Sequence, residues 1–91
     1  MIRRHILISG QVQGVGFRWF SKMNASRLGL TGWVRNLSGG DVELEIQGET
    51  GAVEQMLQIL AQGPHFSQVA QVRDSPCPLE DEYHFRIRED S

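Results

Sequence analysis

The sequence has a single cysteine, Cys77, and only three prolines in 91 residues. One thiol cannot form an internal disulfide, and it excludes a metal motif built on paired cysteines. No apolar run approaches the roughly 20 residues that a membrane helix needs. The basic residues of Met1-Ile2-Arg3-Arg4-His5 precede an apolar stretch that stops at Ser9-Gly10. That stretch is too short for the core of a secretory signal, so a cytoplasmic location is expected. Basic charge is not in excess either, because the formal net charge is −2. General nucleic-acid binders are usually basic, which sets that class aside but leaves room for a local anion site. Repeats and low-complexity tracts are also missing.

What is present suits a small globular chain. Apolar residues make up 40 % of the sequence, and the length fits a single domain over residues 1–91. His5 to Val12 reads as a first strand. Phe17 to Leu28 follows with helical periodicity, placing Phe17, Phe20, Ser21, Ala25 and Leu28 on one side. Asn24 interrupts that side, and Gly29 marks a stop. Leu30 to Asn36 reads as a second strand, and Leu37 to Asp41 as a hairpin turn. In the third strand, Val42, Leu44 and Ile46 alternate with Glu43, Glu45 and Gln47. The two glutamates are expected on a solvated face. Val53, Met56, Leu57 and Leu60 recur at helical spacing up to Gly63-Pro64. Val69 and Val72 suggest a fourth strand, and Tyr83, Phe85 and Ile87 a final one. The order is βαββαβ plus a C-terminal strand. It predicts an α+β, ferredoxin-like two-layer sandwich, with two helices on one face of a mainly antiparallel sheet.

Two segments carry candidate chemistry. Gly10, Gly14 and Gly16 crowd the link between the first strand and the first helix. Glycines there permit the positive φ values of a backbone nest, whose N–H groups can converge on an anion at a helix N-terminus. Arg18 falls in the first helical turn, where the helix dipole disfavours a cation by about 0.3–1 kcal/mol. A bound phosphate would reverse that cost and accept a fork from the guanidinium. The alternative is an ordinary turn followed by a solvated arginine. Neither the nucleotide loop nor the dinucleotide fingerprint fits the spacing. The second segment, Gly32-Trp33-Val34-Arg35-Asn36, ends beside the hairpin, where an asparagine commonly bonds its own backbone.

The run Gly10-Gln11-Val12-Gln13-Gly14-Val15-Gly16-Phe17-Arg18 resembles the first signature of the acylphosphatase family. Gly32-Trp33-Val34-Arg35-Asn36, with Gly40, Val42 and Gly48 after it, is similar to the second. Leu28-Gly29-Leu30-Thr31, Gly63-Pro64 and Phe85-Arg86-Ile87-Arg88 extend the resemblance over nearly the whole chain. Only Asp74 to Glu82 is too irregular to align. The resemblance implies metal-free, cofactor-free hydrolysis of acyl phosphates to a carboxylate and inorganic phosphate. It further implies that Arg18 and the backbone of Gln13, Gly14, Val15, Gly16 and Phe17 bind the phosphate. Asn36 would orient the attacking water.

Other residues have plainer readings. His5, His65 and His84 are scattered, and Cys77 reads as a loop thiol. Trp19 and Trp33 either border the site or serve packing. A monomer acting on a small molecule, with no nucleic-acid or membrane partner, is expected. A non-catalytic anion- or small-ligand-binding module of the same fold is the competing reading. RNA binding on the sheet is disfavoured by the acidic third strand.

Overall fold

The computed structural model describes all residues, 1–91. Its elements are β1 (Ile2–Gln11), α1 (Phe17–Arg27), β2 (Thr31–Asn36), β3 (Val42–Gly48), α2 (Thr50–Gln62), β4 (Gln68–Pro76) and β5 (Phe85–Ile87). The strands form one five-stranded sheet in the order β4-β1-β3-β2-β5. Pairing is antiparallel throughout except for the β2–β5 edge, which is parallel. The ferredoxin-like sandwich is thus the observed architecture, with β5 added beside β2.

Alternation decides which side of the sheet the helices cover. Ile6 and Ile8 of β1, Val34 of β2, and Val42, Leu44 and Ile46 of β3 are all fully buried. They meet Phe17 and Ala25 of α1 and Val53, Met56 and Leu60 of α2 in a single core cluster. Leu28 caps α1, and Gly29 follows at φ 72°, a left-handed turn that a side chain would strain. Asn24 fits its helix by donating Nδ2 to Phe20 O at 2.9 Å.

The spacing of Val69 and Val72 follows from an irregularity in β4. Ser9 pairs with Gln71 but Gly10 pairs with Val69, so Ala70 is an extra residue without a partner. A bulge of this kind restores the phase of a strand. It lets two valines three positions apart pack on the same core.

The opposite face of the sheet is not the solvated surface expected for Glu43 and Glu45. The chain between β4 and β5 crosses it, donating Glu80 N to Gln47 Oε1 at 2.8 Å and reaching His84, whose carbonyl accepts from Gly32 N. Beneath this crossing Arg3 is only 2 % exposed. Its Nε donates to Glu45 Oε1 and its Nη1 to Glu82 Oε1, each at 2.6 Å. Glu43 accepts from His5 Nε2 and Arg35 Nε, each at 2.7 Å. Trp33 lies on this face too, with the Arg88 and Arg35 guanidinium carbons 4.5 and 5.4 Å from its ring centre. The glutamates are ion-pair partners in a layer that sequence alternation alone could not distinguish from open surface.

Glu43 gives this layer a pH dependence. Burial opposes its ionisation, yet the hydrogen bonds and charges of His5 and Arg35 outweigh it and hold the carboxyl below its ordinary value of 4.5. A depressed carboxyl stabilises the fold above the unfolded-state pKa and loses that contribution as pH falls through the folded one. Denaturant midpoints should therefore be lower for Glu43→Gln than for the unmodified chain at pH 7. The gap should close as pH falls through the lowered folded-state pKa of Glu43, below which both side chains are neutral. A gap independent of pH would show that shape rather than charge sets the effect.

Candidate active site

The link from β1 to α1 folds over one end of the sheet. Val12 is fully buried and anchors the start of this loop. Gln13 fixes it laterally, because its Nε2 donates to both Leu37 O and Asp41 O at 2.8 Å. Those carbonyls belong to the β2–β3 hairpin, so one side chain sets the spacing between the loop and the end of β2. Gly14 and Gly16 then adopt φ 76° and 79°, and Gly16 is the N-cap of α1. Nothing lies within 4 Å of where a Cβ would stand on either glycine. It is the backbone conformation rather than space that calls for glycine here.

No side chain caps α1, and no acidic residue occupies its first turn. The first N–H groups of a helix have no partner within it, and their partial positive charge points outward. Arg18 adds a full charge at the same end. Asn36 arrives from the other side, at the last position of β2. Its backbone N–H donates to Asp90 Oδ1 at 3.1 Å and its carbonyl accepts from Ser91 N at 2.9 Å. With its backbone so engaged, Asn36 borders the cavity between β2 and α1.

That cavity measures about 350 Å³ and is lined by Val12, Gly14, Gly16, Phe17, Arg18, Trp19, Asn36 and Ile87. Two other depressions are as large or larger. One of 420 Å³ lies beside Lys22 and His84, and one of 530 Å³ beside Arg86 and Arg88. Volume therefore does not single out the site. The cavity between β2 and α1 is distinguished by a glycine loop, an uncapped helix start, an arginine and an asparagine lining one space.

Most of the residues expected from the sequence meet here, and two do not. Gly14, Gly16, Phe17, Arg18 and Asn36 line the cavity. Gln13 and Val15, expected to contribute their backbone, are not among the lining residues; the Gln13 side chain ties the loop to the hairpin, and the Val15 side chain packs against the core. Trp19 borders the cavity while 60 % exposed, whereas Trp33 lies on the far face of the sheet. Sequence reading missed Ile87, which closes one wall, and Asp90. Arg18 Nη1 donates to Asp90 Oδ1 at 3.2 Å. No motif marks Asp90, although extending the parallel register of Val34 with Ile87 brings residues 89–90 beside Asn36.

Comparison with known proteins shows the family of the chain. Residues 4–87 match the family described as Acylphosphatase. The chain is 49 % identical over 82 residues to an acylphosphatase of Bifidobacterium longum, covering 90 % of this chain and 84 % of that one. It is 42 % identical over 88 residues to an acylphosphatase of Geobacillus kaustophilus, covering 96 % and 94 %. The crystal structure of acylphosphatase from Bacillus subtilis superposes with a TM-score of 0.94 at 35 % identity, covering 97 % of this chain and 99 % of that one. A ferredoxin-like sandwich with a glycine-rich loop leading into its first helix is the general class. Within it, this chain belongs to the acylphosphatase family, whose members are hydrolases acting on acyl phosphates.

Proposed function

We propose that the chain hydrolyses acyl phosphates to a carboxylate and inorganic phosphate without a metal. In this reading Arg18 and the loop backbone hold the phosphoryl group, and Asn36 directs the water. The observation that carries it is the meeting of Arg18 and Asn36 across the cavity at the uncapped start of α1.

The leaving group explains why so few side chains suffice. It departs as a carboxylate whose conjugate acid has a pKa of about 4–5, so it needs little protonation. What remains is to hold the phosphoryl group, to spread its equatorial charge over fixed donors, and to place water in line. Arg18 offers a planar fork, and the glycine loop with the first helical N–H groups offers a cradle. The Asn36 oxygen can accept one water hydrogen while Nδ2 donates elsewhere, but an amide is no base at neutral pH. The water's proton passes to a phosphate oxygen of the substrate.

The same reading takes residues 1–91 as one domain, working as a monomer in the cytoplasm on a small molecule. It assigns no cofactor and no nucleic-acid or membrane partner. Its support is the single core cluster and the sheet face occupied by the crossing segment. No helix is long and apolar enough to cross a membrane.

Hydrolysis of a synthetic acyl phosphate such as benzoyl phosphate, followed with excess chelator, tests the proposal. Turnover is expected at an unchanged rate with and without chelator. A folded protein that shows none would refute the activity, and chelator sensitivity would refute its metal-free form.

A further inference from the structure

Asp90 touches both residues on which the proposed chemistry depends, and does so with one atom. Its Oδ1 accepts from Arg18 Nη1 at 3.2 Å and from Asn36 N at 3.1 Å. Arg18 and Asp90 are 72 positions apart in sequence and come from different elements. The following residue strengthens the arrangement: Ser91 N donates to Asn36 O at 2.9 Å, and Ser91 O accepts from Ser38 N at 2.6 Å. The chain after β5 therefore grips the end of β2 on both backbone groups of Asn36.

We propose that Asp90 is a positioning residue that couples the Arg18 guanidinium to the backbone of Asn36, setting the phosphate fork and the water-directing amide in one frame. The inference rests on the roles given above to Arg18 and Asn36. The pattern of bonding supports positioning over simple charge neutralisation. Asp90 engages Nη1 alone, which leaves Nη2 and Nε to form a fork on phosphate. The carboxylate is itself held by a backbone N–H, so it is a fixed reference for a long, flexible side chain. Arginine carries considerable rotamer entropy, and restraint before binding reduces what the substrate must order.

A carboxylate near the phosphate site also repels the incoming anion. With side-chain exposures of 42 % for Arg18 and 51 % for Asp90, solvent and salt screen that repulsion. Orientation is not screened. The two effects have opposite signs, which makes the proposal decidable.

Asp90→Asn keeps the shape and the acceptor for Asn36 N–H but removes the charge that holds Arg18. Asp90→Ala removes both contacts. For each variant the measurements are kcat, KM and the inhibition constant for inorganic phosphate at physiological ionic strength, with the melting temperature as a check on folding. The expected result for Asp90→Asn is a two- to fivefold rise in KM and in the phosphate inhibition constant, at nearly unchanged kcat. For Asp90→Ala the same constants rise and kcat also falls, about three- to tenfold, because Asn36 loses its reference. A purely structural role would lower melting temperature without splitting KM from kcat in this pattern. Tighter phosphate binding in either variant would overturn the proposal by making Asp90 a competing anion. Constants unchanged in both would make it a bystander. Arg18→Ala, measured in parallel, keeps the failures distinct: if that variant still binds phosphate, the role given to Arg18 fails rather than the coupling.

Discussion

Arg18→Ala is expected to lose measurable phosphate binding and to reduce kcat/KM by about 10³-fold or more, the scale of removing an arginine that stabilises phosphoryl transfer. Inorganic phosphate as a competitive inhibitor and phosphorus NMR titration would read the binding loss directly. Unfolding would not account for it. Removing a cation from the start of α1 relieves about 0.3–1 kcal/mol of unfavourable dipole interaction. The exposed pair with Asp90 that is lost contributes about 0.2–1 kcal/mol. These terms have opposite signs and similar size, so melting temperature should change little while activity disappears. Arg18→Lys should recover only a small part, because an ammonium supplies charge without the planar fork. Full activity in the alanine variant would remove Arg18 from the site.

Asn36→Ala should separate chemistry from binding. Turnover is expected to fall about 10²-fold, the cost of a misplaced reacting group, while phosphate inhibition stays within a few-fold of the unmodified protein. The separation is possible because Asn36 is held through its backbone, by Asp90 Oδ1 and Ser91 N, and an alanine retains both bonds. Stability should therefore shift by no more than about 0.5 kcal/mol. Asn36→Asp provides a second reading of the same role. It preserves the oxygen but replaces the Nδ2 donor with another acceptor and adds charge beside the phosphate. If Asn36 orients water and does not take its proton, the aspartate variant should not restore turnover, and phosphate should bind more weakly. Restored or increased turnover would show that a base at this position helps.

Much of the fold was legible because its elements obey short-range rules. The alternation in Val42–Gly48, the helical spacing of Val53, Met56 and Leu60, and the Gly29 and Gly63 stops all appear in the positions expected of them. The final strand was legible only in part. Phe85 is buried as alternation implies, but Tyr83 is 80 % exposed and lies outside β5, which begins at Phe85. The valine spacing in β4 defied a period of two because a bulge lies between them, and a bulge is decided by pairing with β1. The ion pairs on the far face were hidden for a related reason. Whether Glu43 and Glu45 meet water depends on where residues 77–84 run, and an irregular segment has no periodicity to read.

The site divides in the same way. Gly14, Gly16 and Arg18 are consecutive enough for local conformation to reveal them, and Asn36 became legible through its own signature on β2. The side-chain task of Gln13 depends on the hairpin carbonyls it reaches, 24 and 28 residues away. Asp90 is more distant still. Sequence patterns expose groups that act from a fixed local conformation. They do not expose groups defined only by what they meet after folding.

The place of β5 in the sheet has a consequence in time. The strand pairs with β2 in parallel and Asp90 continues its course to Arg18, so this cavity is assembled from segments 72 positions apart. Contacts between distant segments form slowly, because the intervening chain must first be brought together. Helices α1 and α2 can gain structure locally before that closure occurs. During refolding, the circular dichroism of helix should thus return ahead of catalytic activity. On the ribosome, a chain with both helices already emerged would still have one wall of its cavity inside the exit tunnel.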